Sequence, residues 1–170
     1  GATSPWSGGN LSILATTESS CDSGWTSIEG ACFAVYPGSS LSGGSVDDAD
    51  SFCGKKHSGA RIATISSAAM NTGVAKLIGT PSQYRIGLRR TAKGQPWTWM
   101  DGETLSYKAK IWGDDRGEQC MRLIGAGHKW FTAGWDDFSC NSGGGRNNGF
   151  VCRYNKKTET TSDSPRGALQ

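Results

Sequence analysis

Six cysteines, Cys21, Cys32, Cys53, Cys120, Cys140 and Cys152, constrain this 170-residue chain more than any other feature. No two of them stand at the two-to-four-residue spacing of zinc-binding pairs or of a Cys-x-x-Cys redox centre, which argues against zinc and thioredoxin chemistry. An even count in a loop-rich chain reads instead as a set of disulfides formed in an oxidising compartment, in a secreted protein or the extracellular part of a membrane protein. Six cysteines allow 15 pairings, and spacing alone leaves all of them open.

Composition supports the loop-rich reading. Glycine makes up 25 of the 170 residues, roughly double the usual share of about 7%, and charged residues are 19%, below the usual quarter. The length suits one domain of about 130 residues around a single core, with loose ends. The net charge is +3 and the basic residues are scattered, so no nucleic-acid partner is expected, and Lys55-Lys56 and Lys156-Lys157 read as solvated surface. No apolar run approaches the ~18 residues of a membrane span, so direct membrane insertion is not expected. The chain opens at Gly1 without the charged and apolar regions of a signal peptide, and a secreted form is expected to have lost its leader. Asn10-Leu11-Ser12 fits the N-glycosylation acceptor pattern.

Residues 1–20 are rich in Ser, Thr and Gly, and 156–170 have no periodicity; both are expected to be flexible, leaving 21–155 as the folded domain. Within it, Gly24–Ser27 and Ala31–Tyr36 read as two strands across the turn Glu29-Gly30. Ser45 is placed to cap a helix running towards Gly59, with Asp47 and Asp48 at its positive end and Ala49, Phe52, Cys53 and Lys56 at helical spacing. After a strand-like Arg61–Ile65, Ser66 is read as the cap of a second helix carrying Met70, Val74, Leu77 and Ile78 on one face and ending at Gly79. Tyr84–Leu88, Trp97–Met100, Gln119–Ile124, Lys129–Thr132 and Phe150–Tyr154 are short strand candidates between glycine-rich turns. Two early helices followed by antiparallel strands give an α+β fold.

These residues resemble a C-type lectin-like domain. The likeness runs from Cys21 to Tyr154 through Cys-x-x-Gly-Trp at Cys21–Trp25, Gly59–Ile65, Arg85-Ile86-Gly87-Leu88, Trp97–Gly102, Gly117–Cys120, Trp135-Asp136-Asp137-Phe138-Ser139-Cys140 and Gly149–Cys152. The resemblance implies the long, three-disulfide form of the fold, pairing Cys21 with Cys32, Cys53 with Cys152 and Cys120 with Cys140, with ligand on the side that the last bridge steadies. Arg85 departs from the pattern, since the family commonly places Trp there. A buried arginine is costly, so its head is expected to reach the surface or find a partner.

Sugar-binding members of that family hold Ca²⁺ with a Glu/Gln-Pro-Asn/Asp tripeptide, a Glu before the third framework cysteine, and Trp-Asn-Asp. Glu118 and Asp137 match, Asp136 replaces the Asn, and the tripeptide is missing because the loop between Trp112 and Cys120 is short. Asp114 and Asp115 lie in that loop, so Glu118, Asp136, Asp137, Asp114 and Asp115 form a candidate calcium site, completed by carbonyls, water or ligand hydroxyls. The competing expectation is that Asp114 and Asp115 form a solvated turn, that Glu118 pairs with Arg116 or Lys129, and that Asp136 caps a turn after Trp135. Gln119 stands where a second calcium site expects an acid.

The leading functional expectation is glycan or glycoprotein binding, assisted by Ca²⁺, through Glu118, Trp130, Asp136 and Asp137. The alternative is recognition of a protein receptor without calcium-dependent sugar binding. A third, a glycoside hydrolase built on Glu118 with Asp136 or Asp137, needs a deep cleft and one raised pKa, so catalysis is not expected. His57 and His128 lack metal-ligand neighbours and read as surface residues. The resemblance places Trp25, Trp97, Trp99, Trp112 and Trp135 mostly in the core and leaves Trp6 and Trp130 undetermined; Trp130 is the aromatic expected to contact ligand, because one of the alternating side chains of its strand should face out. Gly143–Gly149 precedes no helix and is not a phosphate cradle.

Overall fold

The computed structural model describes residues 17–18, 20–80, 82–112, 116–141 and 148–159. Asn10, Asp114, Asp115 and the glycine run at 143–147 lie outside the described residues. The chain divides into two compact units. One contains the antiparallel pair β1 (Thr17–Glu18) and β11 (Thr158–Glu159). The other, Ser20–Lys156, holds the helices and the main sheet.

Helix α1 (Val46–Lys56) starts at a capping box: Ser45 Oγ accepts from the Asp48 amide at 3.0 Å, and the Asp48 carboxylate accepts from the Ser45 amide at 3.1 Å. Asp47 and Asp48 at its first turn and Lys55 and Lys56 at its last complement the helix dipole. Helix α2 (Ala68–Ile78) is capped by Ser67, one residue later than expected, whose hydroxyl accepts from the Met70 amide at 3.1 Å. Ser66 instead meets the Met70 sulfur at 3.3 Å. Gly79 ends the helix with a positive φ of 70°, a conformation that side chains resist.

Between and after the helices run β2 (Thr26–Ile28), β3 (Ala31–Pro37), β4 (Arg61–Ile62), β5 (Gln83–Arg89), β6 (Thr98–Trp99), β7 (Ile111–Trp112), β8 (Cys120–Ile124), β9 (Trp135–Phe138) and β10 (Asn148–Asn155). Among the described residues they form one sheet in the order β2-β3-β10-β5-β8-β9-β7, with β4 on β10 and β6 on β5. Gly87 is needed inside β5 because a Cβ there would lie 2.8 Å from the Ile62 carbonyl oxygen, where β4 crosses. One apolar cluster gathers Phe33, Val74, Ile86, Leu88, Leu123 and Trp135 beside α2. A second gathers Val46, Cys53, Ile62, Phe150 and Cys152 beside α1.

The disulfides are Cys21–Cys32, Cys53–Cys152 and Cys120–Cys140, as the resemblance implies. The second joins α1 to β10; the third joins β8 to the residues that follow β9. The fold is therefore the expected α+β arrangement.

One expected strand is absent, and one segment without an expectation takes extended form. Lys129–Thr132 is a turn and not a strand. Thr132 Oγ1 donates to the His128 carbonyl at 2.9 Å, Gly127 and Ala133 take positive φ, and these local bonds close the chain on itself. Residues 102–110, unassigned from sequence, run as an extended strap into β7. Leu105, Tyr107, Ala109 and Ile111 pack on the core while Thr104, Ser106, Lys108 and Lys110 are exposed, the two-residue alternation of a strand.

Candidate functional site

The Trp-Asp-Asp segment lies within β9, not in a loop, and Trp135 fixes it there. Its ring is fully buried, edge-on to Trp99 and Tyr107, and its Nε1 donates to Asn71 Oδ1 at 2.8 Å. Asn71 Nδ2 in turn donates to the Ala133 carbonyl at 2.6 Å, tying the 128–134 turn to α2.

Successive residues of a strand face opposite sides, and Asp136 and Asp137 accordingly meet different arginines. Asp136 Oδ2 accepts from Arg122 Nε at 2.8 Å and from its Nη2 at 2.5 Å. This follows from register, since Arg122 of β8 stands opposite Asp136 of β9 and opposite Arg85 of β5. The row ends on aromatic support, with the Arg122 guanidinium 4.1 Å and that of Arg85 5.9 Å from the Phe138 ring centre. Asp137, 1% exposed, faces Arg90, whose Nη2 lies 3.4 Å from its Oδ2; the Glu118 amide donates to the same oxygen at 3.3 Å. Arg90 also donates from Nε to the Glu118 carbonyl at 2.9 Å and lies 4.3 Å over Trp97.

Arg85 is only 5% exposed, so of its two expected resolutions the partner is the one found: Nη1 donates to the Gly44 carbonyl. Burial, and then the Arg122 charge, push its pKa below the usual arginine value.

Asp136 and Asp137 thus turn to opposite sides of β9, Asp137 towards the Glu118 amide, and arginines 90 and 122, which sequence reasoning passed over, neutralise the two aspartates. The signal available was the alternation that sets Arg122 beside Asp136. Among the described residues no three His, Cys, Asp or Glu side chains converge as a metal site. Lys129 lies over the Trp130 ring at 4.7 Å rather than on Glu118. Trp112 is 47% exposed, against its expected burial, because β7 is the last strand of the sheet order. It leans on Phe131 at 5.6 Å and His128 at 6.1 Å. Trp130 is 75% exposed. His57 is not a bare surface residue, being stacked on Tyr154 at 3.5 Å with Asp22 3.4 Å away.

Glu118 is partly buried, and that burial, reinforced by Asp137 and Asp136, raises its pKa above the usual carboxylate value, while Arg116 and Arg122 oppose the rise. A carboxyl that holds its proton more tightly when folded loses stability as pH climbs from its unfolded value, about 4.3, through its folded one. Glu118→Gln is therefore expected to melt above the parent protein at pH 7, with the gain disappearing below about pH 4. Thermal midpoints of both proteins across that range check it, and a lower neutral midpoint for the variant would contradict it.

A family model described as the lectin C-type domain matches residues 42–154. Snaclec clone 2100755 of Deinagkistrodon acutus is 30% identical over 153 residues, covering 88% of this chain and 89% of its own length. Snaclec coagulation factor IX/factor X-binding protein subunit B3 of Trimeresurus stejnegeri is 29% identical over 120 residues, 69% of this chain and 87% of that one. Among solved structures, the mouse scavenger receptor C-type lectin carbohydrate-recognition domain superposes with a TM-score of 0.63 at 25% identity, covering 82% of this chain and 99% of that one.

Proposed function

We propose that this chain, which belongs to the C-type lectin domain family, is an extracellular recognition module that binds a protein ligand without calcium. The observation that carries this reading is the pairing of Asp136 with Arg122 and of Asp137 with Arg90. Both carboxylates of the Trp-Asp-Asp segment already have a counter-charge inside the protein, each through its Oδ2, and a guanidinium beside each carboxylate repels a divalent cation. The absent Glu/Gln-Pro-Asn/Asp tripeptide removes the ligands that would compensate. The same pairs weigh against a hydrolase, because neither aspartate is available as nucleophile or base.

The Trimeresurus stejnegeri relative is a subunit of a coagulation factor IX/factor X-binding protein, which supports protein recognition on this scaffold. No helix among the described residues is long and apolar enough to cross a membrane.

Thermal unfolding in millimolar calcium and in chelator tests the reading. The two midpoints are expected to coincide, whereas a site filled at 100 times its Kd would add about 2.7 kcal/mol. A midpoint raised by calcium and returned to the chelator value by Asp137→Asn would overturn it, as would a glycan array with signals that need calcium.

A further inference from the structure

We propose that the cleft between the 102–110 strap and the 128–134 turn is the docking site for an extended acidic segment of the partner protein. This deepens, and rests on, the calcium-independent protein recognition argued above. The cleft has a volume of about 430 Å³ and its lining includes Tyr107, Ala109, Lys110, Trp130 and Phe131. That size falls within the ~300–1,000 Å³ of ligand sites and suits an anchoring side chain.

Three independent features converge on it. The first is aromatic exposure. Trp130 and Trp112 are the exposed large hydrophobic side chains among the described residues, and tryptophan is enriched where interfaces concentrate their binding energy. The second is charge. Lys108, Lys110 and Lys129 are exposed and make no ion pair among the described residues. Lys110 Nζ lies 5.3 Å from the Phe131 ring centre and Lys129 Nζ 4.7 Å from that of Trp130, so both ammoniums are held on the aromatic surface. The nearby carboxylate of Asp136, whose Cα pairs with that of Trp112 between β9 and β7, is taken by Arg122.

The third is the backbone. The strap runs into β7 at the end of the sheet order, and the peptide groups of its Lys108 and Ala109, beside the cleft, make no hydrogen bond among the described residues. Such an edge accepts a further strand. A neutral sugar would use the aromatic rings and leave the lysines idle. A sulfated or uronic-acid glycan would use rings and lysines but not the open edge. An extended peptide with carboxylates beside an apolar or aromatic anchor uses all three.

Binding to an array of peptides of about twelve residues, varied in acidic and aromatic content and read with sulfated and neutral oligosaccharides alongside, tests the assignment in chelator. Saturable binding is expected for peptides that combine acids with an aromatic anchor, and not for their lysine counterparts. Trp130→Ala is expected to weaken it by about tenfold or more and Lys110→Glu by several-fold, with thermal midpoints unchanged because both side chains are exposed. Preference for sulfated oligosaccharide, peptide binding indifferent to both substitutions, or no saturable peptide binding would each overturn the inference. These failures are distinct from a calcium requirement, which would instead overturn the function proposed above.

Discussion

Asp137→Ala is expected to lose about 3–5 kcal/mol of unfolding free energy in urea titrations, and to lose the same amount in calcium and in chelator. The side chains of Asp137 and Arg90 are 0% and 3% exposed, so the substitution takes away the carboxylate facing a guanidinium that water cannot reach. It also removes the acceptor for the Glu118 amide. The double replacement Arg90→Met with Asp137→Leu separates an ion pair from a metal ligand. Exchanging a buried pair for apolar side chains of similar volume is commonly neutral or stabilising by ~1–4 kcal/mol, so the double variant should recover most of what the single one loses. A single-variant loss below about 1 kcal/mol, or one seen only with calcium present, would defeat the ion-pair account.

That pairing also marks where the sequence became hard to read. The cysteine framework, the N-cap at Ser45 and the apolar face of α2 are local or motif-borne signals, and each is legible in the sequence. The Trp-Asp-Asp segment was visible as a motif, but its charge balance depends on strand register. Arg122 reaches Asp136 only because β8 and β9 pair Cys120 with Phe138, and Arg90 reaches Asp137 across 47 positions of sequence. Alternation puts Arg122 on the face of Asp136 only once the two strands are paired, and no local pattern encodes the contact of Arg90 with Asp137. Arg116 and Lys129, the neutralisers expected for Glu118, stand 2 and 11 residues from it, whereas Arg122 stands 14 residues from Asp136 and Arg90 stands 47 from Asp137. Arg85 was legible as a conflict with a core strand, and its resolution on Gly44 was not, since a backbone carbonyl carries no residue signal. Lys129–Thr132 failed for the opposite reason: its composition suits a strand, but glycines on either side and the Thr132 hydroxyl favour a turn, and that turn is what exposes Trp130.

Removing the Cys53–Cys152 bridge as a double alanine variant is expected to destabilise the domain by about 4–5 kcal/mol, the largest loss among the three bridges. The bridge spans 99 positions, against 20 for Cys120–Cys140 and 11 for Cys21–Cys32. Loop-closure entropy grows with the logarithm of that span, giving about 3.3 kcal/mol for the second and about 2.8 for the third. Burial sharpens the order, because both sulfurs of the long bridge sit in the cluster around α1, while Cys21 and Cys140 are partly exposed. Against a total stability of about 5–15 kcal/mol, loss of the long bridge leaves a domain close to unfolding at 37 °C. Loss of the Cys120–Cys140 bridge has a different signature. The Cys140 carbonyl accepts from the Val46 amide at 2.8 Å, so releasing that segment should also loosen the start of α1. Amide exchange is the measurement that tells them apart: faster exchange confined to β8, β9 and the first turn of α1 for the shorter bridge, and a rise throughout the core for the longer one. Equal destabilisation by all three removals would mean that the unfolded chain is too compact for loop length to matter, and the entropic account would fail.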